Sequence, residues 1–539
     1  MVPGRRLEFK AWEAAGAALA LLVGIHFLAM RVRAGGLPGG DEGSWLSVSA
    51  ELARGHGWST RWLELHFLRP YALPRPDDLR YPALTSLLAV VFRGLGTSVE
   101  IGRWTVTAVF LSLAGSVWLI CRRAFGRWAA LGALWLTLCS LLQLQWNTVV
   151  YTEGLFGLVV AGLAWWCLKG ESPRAARRGS MTGIGGPLGS PVLTEPAWWA
   201  VLGAGVGLLY LVRPNGLLFV PGILWLYWRR RHLGLTWKHP ALALTCFGLV
   251  IAPWLLRTAH HFGNPLHIAG NAGMLREAGQ PHTYTLFQYL AQHNPWYPLQ
   301  RFLFGVPRFF RILHQSEHGL EALPLLAAAA AVFLRRPFFG PFLASGFLIS
   351  GLICCYAAYD GWAPIRYMSS LLPFLYAYGL AALRSLFRRR FPSASKRSGF
   401  LTGCAVILLL LLPVVQPHRY YERTLKPAPG FSRHQAAYLD SLQARVAPGE
   451  SYYAGSLCAI NFLTQGRRCV GLQELYDPTW FSRSMEAFHP RLVALTHGET
   501  ADTAMQAALA KMRREGYTAD TLAVLPLGVL LALSPGGGK

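Results

Sequence analysis

GDEGSWLSVSAELARGHGW, residues 40–58, sets the frame for the whole chain. Gly39-Gly40 interrupts the backbone, and an Asp at position 41 suits a helix N-cap. Trp45, Val48 and Leu52 then recur at helical spacing, and Gly55 and Gly57 close the segment. The pattern predicts a short amphipathic helix, too short to span a membrane, lying flat on its surface with Asp41 and Glu42 at its tip.

What surrounds this helix is mostly apolar. The 539 residues are 53% hydrophobic and 14% charged, with 20 Trp and 28 Phe, which excludes an ordinary soluble protein. About eleven runs are long enough to cross, or nearly cross, a bilayer: 13–30, 104–120, 129–146, 154–168, 197–212, 214–228, 240–256, 322–334, 339–358, 367–383 and 399–415. The net charge of +25 suggests nucleic acid until its distribution is read. Basic groups follow every second span: Arg122, Arg123 and Arg127; Arg174, Arg177 and Arg178; Arg229 to Arg231; Arg335 and Arg336; Arg384 to Arg397. With Arg5, Arg6 and Lys10 before the first span, this is the positive-inside pattern, and no nucleic-acid partner is called for. The expected topology is a multi-pass protein of the cytoplasmic membrane with its N-terminus inside. RVRAGG after the first span is a poor cleavage site, so that span is read as retained.

The expected organisation is a transmembrane domain, 1–415, and a small extracytoplasmic α/β domain, 416–539. Two outside connections are long, 31–103 and 258–320. In the first, RYPALTSLLAVVFRGLG reads as a second juxtamembrane helix, because a crossing there would put the Arg122 cluster outside. In the second stand His260, His261, His267, His282, His293, His314 and His318, read as solvated loop residues, since none combines helical spacing with a third ligand. The insert 170–195 contains GIGGPLG, but no strand precedes it and Pro187 spoils a following helix, which argues against a phosphate loop. After 416, SRHQAAYLDSLQ and TADTAMQAALAKMRREG read as helices, SYYAG and RRCVGL as strands, and TLAVLPLGVLLAL as a buried strand. Cys458 and Cys469 are in the exported part, where either a disulfide or two buried thiols fit.

The spans hold essentially no ionisable residues. Asp41, Glu42, Arg80, Glu153, Arg213, Arg257 and Arg366 all fall at outer ends or outer connections. A transporter would more typically place such groups near the midplane. Charges at the outer surface instead suit chemistry on an amphiphile whose head group lies at that depth. Guanidinium forks match a phosphate, and a carboxylate can take a proton from a hydroxyl.

In motif order the chain resembles the GT-C superfamily of polyprenyl-phosphate-sugar-dependent glycosyltransferases, in particular the protein O-mannosyltransferase and lipid A aminoarabinose transferase group. GDEGSWLSVSAELARG stands for the family's acidic juxtamembrane motif and RYPALTSLL for its Lys-Pro-Pro-Leu motif. RRAFGRW, YTEGLF, PWLLR and RYMSSLLPFL follow in order, so the resemblance covers about residues 10–390. It implies a GT-C bundle, all-α in its membrane part. The function implied is movement of a sugar, with inversion, from a polyprenyl-phosphate carrier to a hydroxyl acceptor in the cell envelope. Asp41 matches the catalytic acid, with Glu42 beside it in a supporting place, and Glu153 replaces the second acidic position. Arg80 stands where the family has a lysine facing the donor phosphate, followed by Tyr81; Arg366 with Tyr367 matches the family's Arg-Tyr near the donor. Arg257 joins that phosphate-facing set. No cofactor is required by this reading, and a divalent metal held by the acids stays open. A lipid-linked oligosaccharide flippase and a non-catalytic assembly protein are the alternatives.

Overall fold

The computed structural model describes residues 11–63, 70–170, 196–231, 234–265, 296–317, 346, 351–355, 366–390, 431–472 and 479–536. Three described helices are long and apolar enough to cross a membrane: α1 (Ala11–Arg33), α4 (Val99–Phe125) and α10 (Lys238–Phe262). α5 (Arg127–Cys139) and α6 (Leu141–Asn147) are long and apolar enough only when taken together, and they are bent by 58° at the break between them. The break falls at Ser140, whose hydroxyl leaves the preceding helix to cap the next by accepting the Gln143 N–H. α7 (Glu153–Gly170), α8 (Pro196–Val212) and α13 (Leu372–Arg390) coincide with expected spans and are shorter as described apolar helices. The expected span 214–228 is broken. It opens as a three-ten segment, Pro214–Phe219, before the eleven-residue α9 (Val220–Arg230). There Gly216 folds back on α8 so tightly that a Cβ would meet the Tyr210 nitrogen at 2.3 Å. The spans expected at 322–334 and 399–415, nearly all of 339–358, and the insert 171–195 lie outside the described residues.

Between α1 and α4 run α2 (Gly40–Ala53), the short strands β1 (Ser59–Thr60), β2 (Trp62–Leu63) and β3 (Arg75–Pro76), and α3 (Pro82–Leu95). At 14 residues α3 is about 21 Å long, short of the roughly 30 Å bilayer core. Pro82 starts it, and Leu84, Leu88 and Phe92 bury one side against the protein. The prediction for α2 needs two corrections. Its N-cap is Gly39 and makes no side-chain cap bond, so Asp41 sits inside the first turn. Nor does the helix lie on a surface: every residue from Glu42 to Glu51 is buried. Its second covering layer is protein rather than lipid.

That cover comes from the C-terminal part. After α11 (Tyr297–Glu317) and α12 (Arg366–Ser369), which leads into α13, the chain forms α14 (Phe431–Gln443), β4 (Ser451–Ala454), a three-ten segment (Ser456–Leu463) and β5 (Arg468–Gly471). Then follow α15 (Trp480–Phe488), β6 (Leu492–Thr496), α16 (Thr503–Arg514), β7 (Tyr517–Leu525) and β8 (Gly528–Pro535). The six-stranded mixed sheet has the order β2-β5-β4-β6-β8-β7. β2, β5, β4 and β6 are parallel, and β7–β8 is an antiparallel hairpin where one buried strand was expected. One edge strand, β2, comes from the first connection and pairs Trp62 with Cys469. The three-ten segment packs on α2, and Cys458 and Cys469 form a disulfide.

Candidate active site

The bundle delivers a charged cluster to the sheet-bearing end. Asp41 projects from the first turn of α2, where helix amides favour a negative charge. Its two oxygens take different arginines: Arg80 Nη2 donates to Oδ1 at 3.0 Å and Arg366 Nη1 to Oδ2 at 2.8 Å. Arg80 is placed by the turn before α3, where its backbone N–H donates to Asp77 Oδ2 at 2.7 Å and its guanidinium lies 5.5 Å from the Trp45 ring. Arg366 opens α12, which is tied to the bent α5–α6 pair by Gln143 Nε2 donating to the Ser369 carbonyl at 2.7 Å. Burial alone would raise the Asp41 carboxyl, but Arg80 and Arg366 together hold it well below the ordinary 3.8. The Asp41 side chain is nevertheless 35% exposed, so the ion triad has an open side.

Glu153, the first residue of α7, is the cluster's second acid. Arg213 Nη1 donates to its Oε1 at 2.9 Å, and Arg366 Nε lies 4.0 Å from the same oxygen. Its Oε2 is buried with no hydrogen-bond partner among the described residues. Tyr367 lies 4.0 Å under the Arg213 guanidinium and 5.4 Å from that of Arg366. Tyr151 is 5.2 Å from Arg366; burial, then the Asp41 charge, pushes its phenol up to about 12, so it stays a neutral hydrogen-bond donor.

Three residues named from the sequence sit differently. Glu42 points away from Asp41 into the core, where Arg103 grips both oxygens at 2.9 and 2.8 Å and the Val150 N–H adds a third bond at 3.0 Å. Tyr81 packs edge-on to Tyr210 and beside Trp254. Arg257 stands in a neighbouring chamber: its Nη2 donates to the Trp58 carbonyl at 2.8 Å, and the Trp254 ring is 4.7 Å away. It lines a cavity of about 940 Å³ with Trp58, Arg61, Arg75, Pro82 and Trp254, rather than meeting Asp41. Of the histidines, His260 and His261 end α10 against each other; His267, His282, His293 and His318 lie outside the described residues. Arg213 and Arg103 are the partners that sequence reasoning did not assign. Each falls at the end of an expected apolar run, 104–120 and 197–212, and that position is the one signal it offered.

The acids do not fit a divalent metal. Asp41, Glu42 and Glu153 each face arginine, and among the described residues no group of three or more His, Cys, Asp or Glu could hold an ion.

No protein-family model matches the sequence, and no curated protein matches it. Solved structures do. ArnT from Cupriavidus metallidurans bound to undecaprenyl phosphate is similar at a TM-score of 0.60 and 14% identity, over 98% of this chain and 99% of that one. The archaeal oligosaccharyltransferase AglB from Archaeoglobus fulgidus, in complex with an inhibitory peptide and a dolichol-phosphate, has a TM-score of 0.51 at 14% identity, over 98% of this chain and 74% of its own. Arabinofuranosyltransferase AftD from Mycobacteria has a TM-score of 0.53 at 12% identity, over 99% of this chain and 40% of its own. From end to end, then, this chain shares the fold of these solved structures.

Proposed function

We propose that the protein is an integral membrane glycosyltransferase that moves a sugar from a polyprenyl-phosphate carrier to a hydroxyl acceptor on the outer face of the cytoplasmic membrane. The observation that carries this reading is the open triad of Asp41 between Arg80 and Arg366, with Glu153 beside Arg366. In the resting state the two arginines are spent on Asp41, which is therefore a poor base. A phosphodiester entering the open side competes for both guanidinium forks. As they turn to the phosphate, Asp41 regains basicity and accepts the proton of the acceptor hydroxyl. The hydroxyl oxygen attacks the anomeric carbon from the face opposite the phosphate. The glycosidic C–O bond breaks with its electron pair going to the polyprenyl phosphate, and the sugar inverts. Arg80 and Arg366 stabilise the charge that grows on the leaving phosphate, which preorganised donors do best where water is excluded. Glu153 holds Arg213 and helps fix Arg366; Tyr367 stacks between them. The chamber beside Arg257 gives the carrier's head region an apolar wall with a cation in it.

Purified protein given a radiolabelled polyprenyl-phosphate sugar and candidate acceptors tests the proposal, wild type beside Asp41→Asn. Transfer by the wild type and its loss in a variant that elutes as a folded protein is the expected result. Transfer that survives Asp41→Asn removes the base and the reading with it.

A further inference from the structure

Cys458 and Cys469 are eleven positions apart, both buried, and joined by a disulfide. The loop they close is where the C-terminal sheet meets the first connection. On its first turn, Ala459 lies so close to Gly43 of α2 that a Cβ there would come within 2.6 Å of the Ala459 Cα. Farther along, Arg54 Nη2 donates to the Phe462 carbonyl at 2.6 Å and Arg61 Nη1 to the Gly466 carbonyl at 3.3 Å. The Cys469 N–H donates to the Arg61 carbonyl at 2.9 Å, beside the β2–β5 pairing. Behind these contacts Glu51, buried on α2, holds Arg54 at 2.8 Å and Arg61 at 3.0 Å.

Asp41 stands two residues ahead of Gly43 on the same helix, whereas its arginines come from other elements, Arg80 from the turn before α3 and Arg366 from α12. The separation between acid and arginines therefore depends on what presses α2 from behind. We infer that the disulfide-closed loop 458–469, seated on Gly43, is a clamp that positions Asp41, with Gly43, Cys458 and Cys469 as positioning residues. The inference rests on Asp41 being the base proposed above. It gives the C-terminal sheet a part in the reaction: without the bridge, the three-ten turn and β5 separate as supports, and α2 loses its fixed seat.

The test uses the full chain in detergent with Cys458→Ala/Cys469→Ala and, separately, Gly43→Ala, which leaves the bridge intact. Hydrogen exchange over residues 40–53 is expected to quicken about tenfold or more while α4 and α5 keep their protection. With donor and acceptor, kcat is expected to fall about a hundredfold and the donor KM to change less than about threefold, the signature of a misplaced reacting group. Unchanged exchange in α2 overturns the clamp. So does faster exchange spread through α4 and α5, which marks a merely structural bridge, or faster α2 exchange at unchanged kcat. Exchange is read without substrate, so a wild type that transfers no sugar refutes the glycosyltransferase reading separately.

Discussion

Asp41 and Glu42 are consecutive residues of one helix turn, and the structure treats them as opposites. Glu42 is 1% exposed, and Arg103 and a backbone amide occupy its oxygens. Asp41 also meets two guanidinium groups, but one on each oxygen, from two separate elements, with a third of its side chain open. A closed bidentate pair has no room to change partners, so it fastens α2 to α4. An open pair of single bonds can be taken over by an anion of better fit. The same chemistry thus makes a fastener on one side of the helix and an exchangeable site on the other.

The sharpest way to break this contrast is to remove one charge at a time. Asp41→Asn keeps the side chain's shape and is expected to lower kcat about a thousandfold, within the range for loss of a general base, with a smaller loss of thermal stability than at Glu42 because its arginines face an open side. Glu42→Gln is expected to act mainly on stability. It leaves Arg103 buried without its counter-ion, which costs about 3 kcal/mol of stability, seen as an early melting transition. If the two variants lose activity and stability in parallel, the two carboxylates are not functionally distinct.

A smaller effect separates the arginines. Arg366→Lys keeps a positive charge but loses the fork shared between Asp41 and the Glu153 side, and one charge-assisted bond is worth about 2 kcal/mol, roughly thirtyfold in kcat/KM. Arg103→Lys loses a fork too, but its effect belongs in the melting temperature and not in the rate. Kinetics of the two variants side by side decide the point.

How much of this was legible beforehand follows from the range of each interaction. Gly39-Gly40, Gly55 and Gly57 bound α2 locally, and the order of motifs put Asp41, Arg80, Glu153 and Arg366 at one end of the bundle. Local propensity also made Asp41 an N-cap, and there it failed, because two guanidinium groups from distant elements outcompete the helix amides for its oxygens. Glu42 and Arg103 are 61 positions apart and Arg213 is 60 from Glu153, distances over which only tertiary packing sets a partner. The two residues of β2 are too few to show a period, so nothing announced that the first connection would join the C-terminal sheet and bury α2 from Glu42 to Glu51. Arg257 was grouped with the other arginines by sidedness alone; depth and direction divide them between two chambers.

The finest test of the contrast is the pH dependence of turnover. The Asp41 carboxyl is depressed in the resting protein, so the stabilisation from its ion pairs is full above the ordinary 3.8 and is lost as pH falls through the lower folded value. Free enzyme accordingly keeps Asp41 ionised throughout the usual assay range, and kcat/KM should show no acid limb from it above about pH 4. Once donor phosphate holds Arg80 and Arg366, the same carboxyl faces a neighbouring negative charge with its counter-ions withdrawn, and its pKa rises. The acid limb of kcat, which reports the complex, should therefore lie at least about one pH unit above that of kcat/KM. In Arg366→Lys the two limbs should draw together, because a lysine grips Asp41 less firmly in the resting protein and less is lost on binding. Coincident limbs in the wild type would mean that the arginines keep their grip on Asp41 throughout the reaction, leaving it as much a fastener as Glu42.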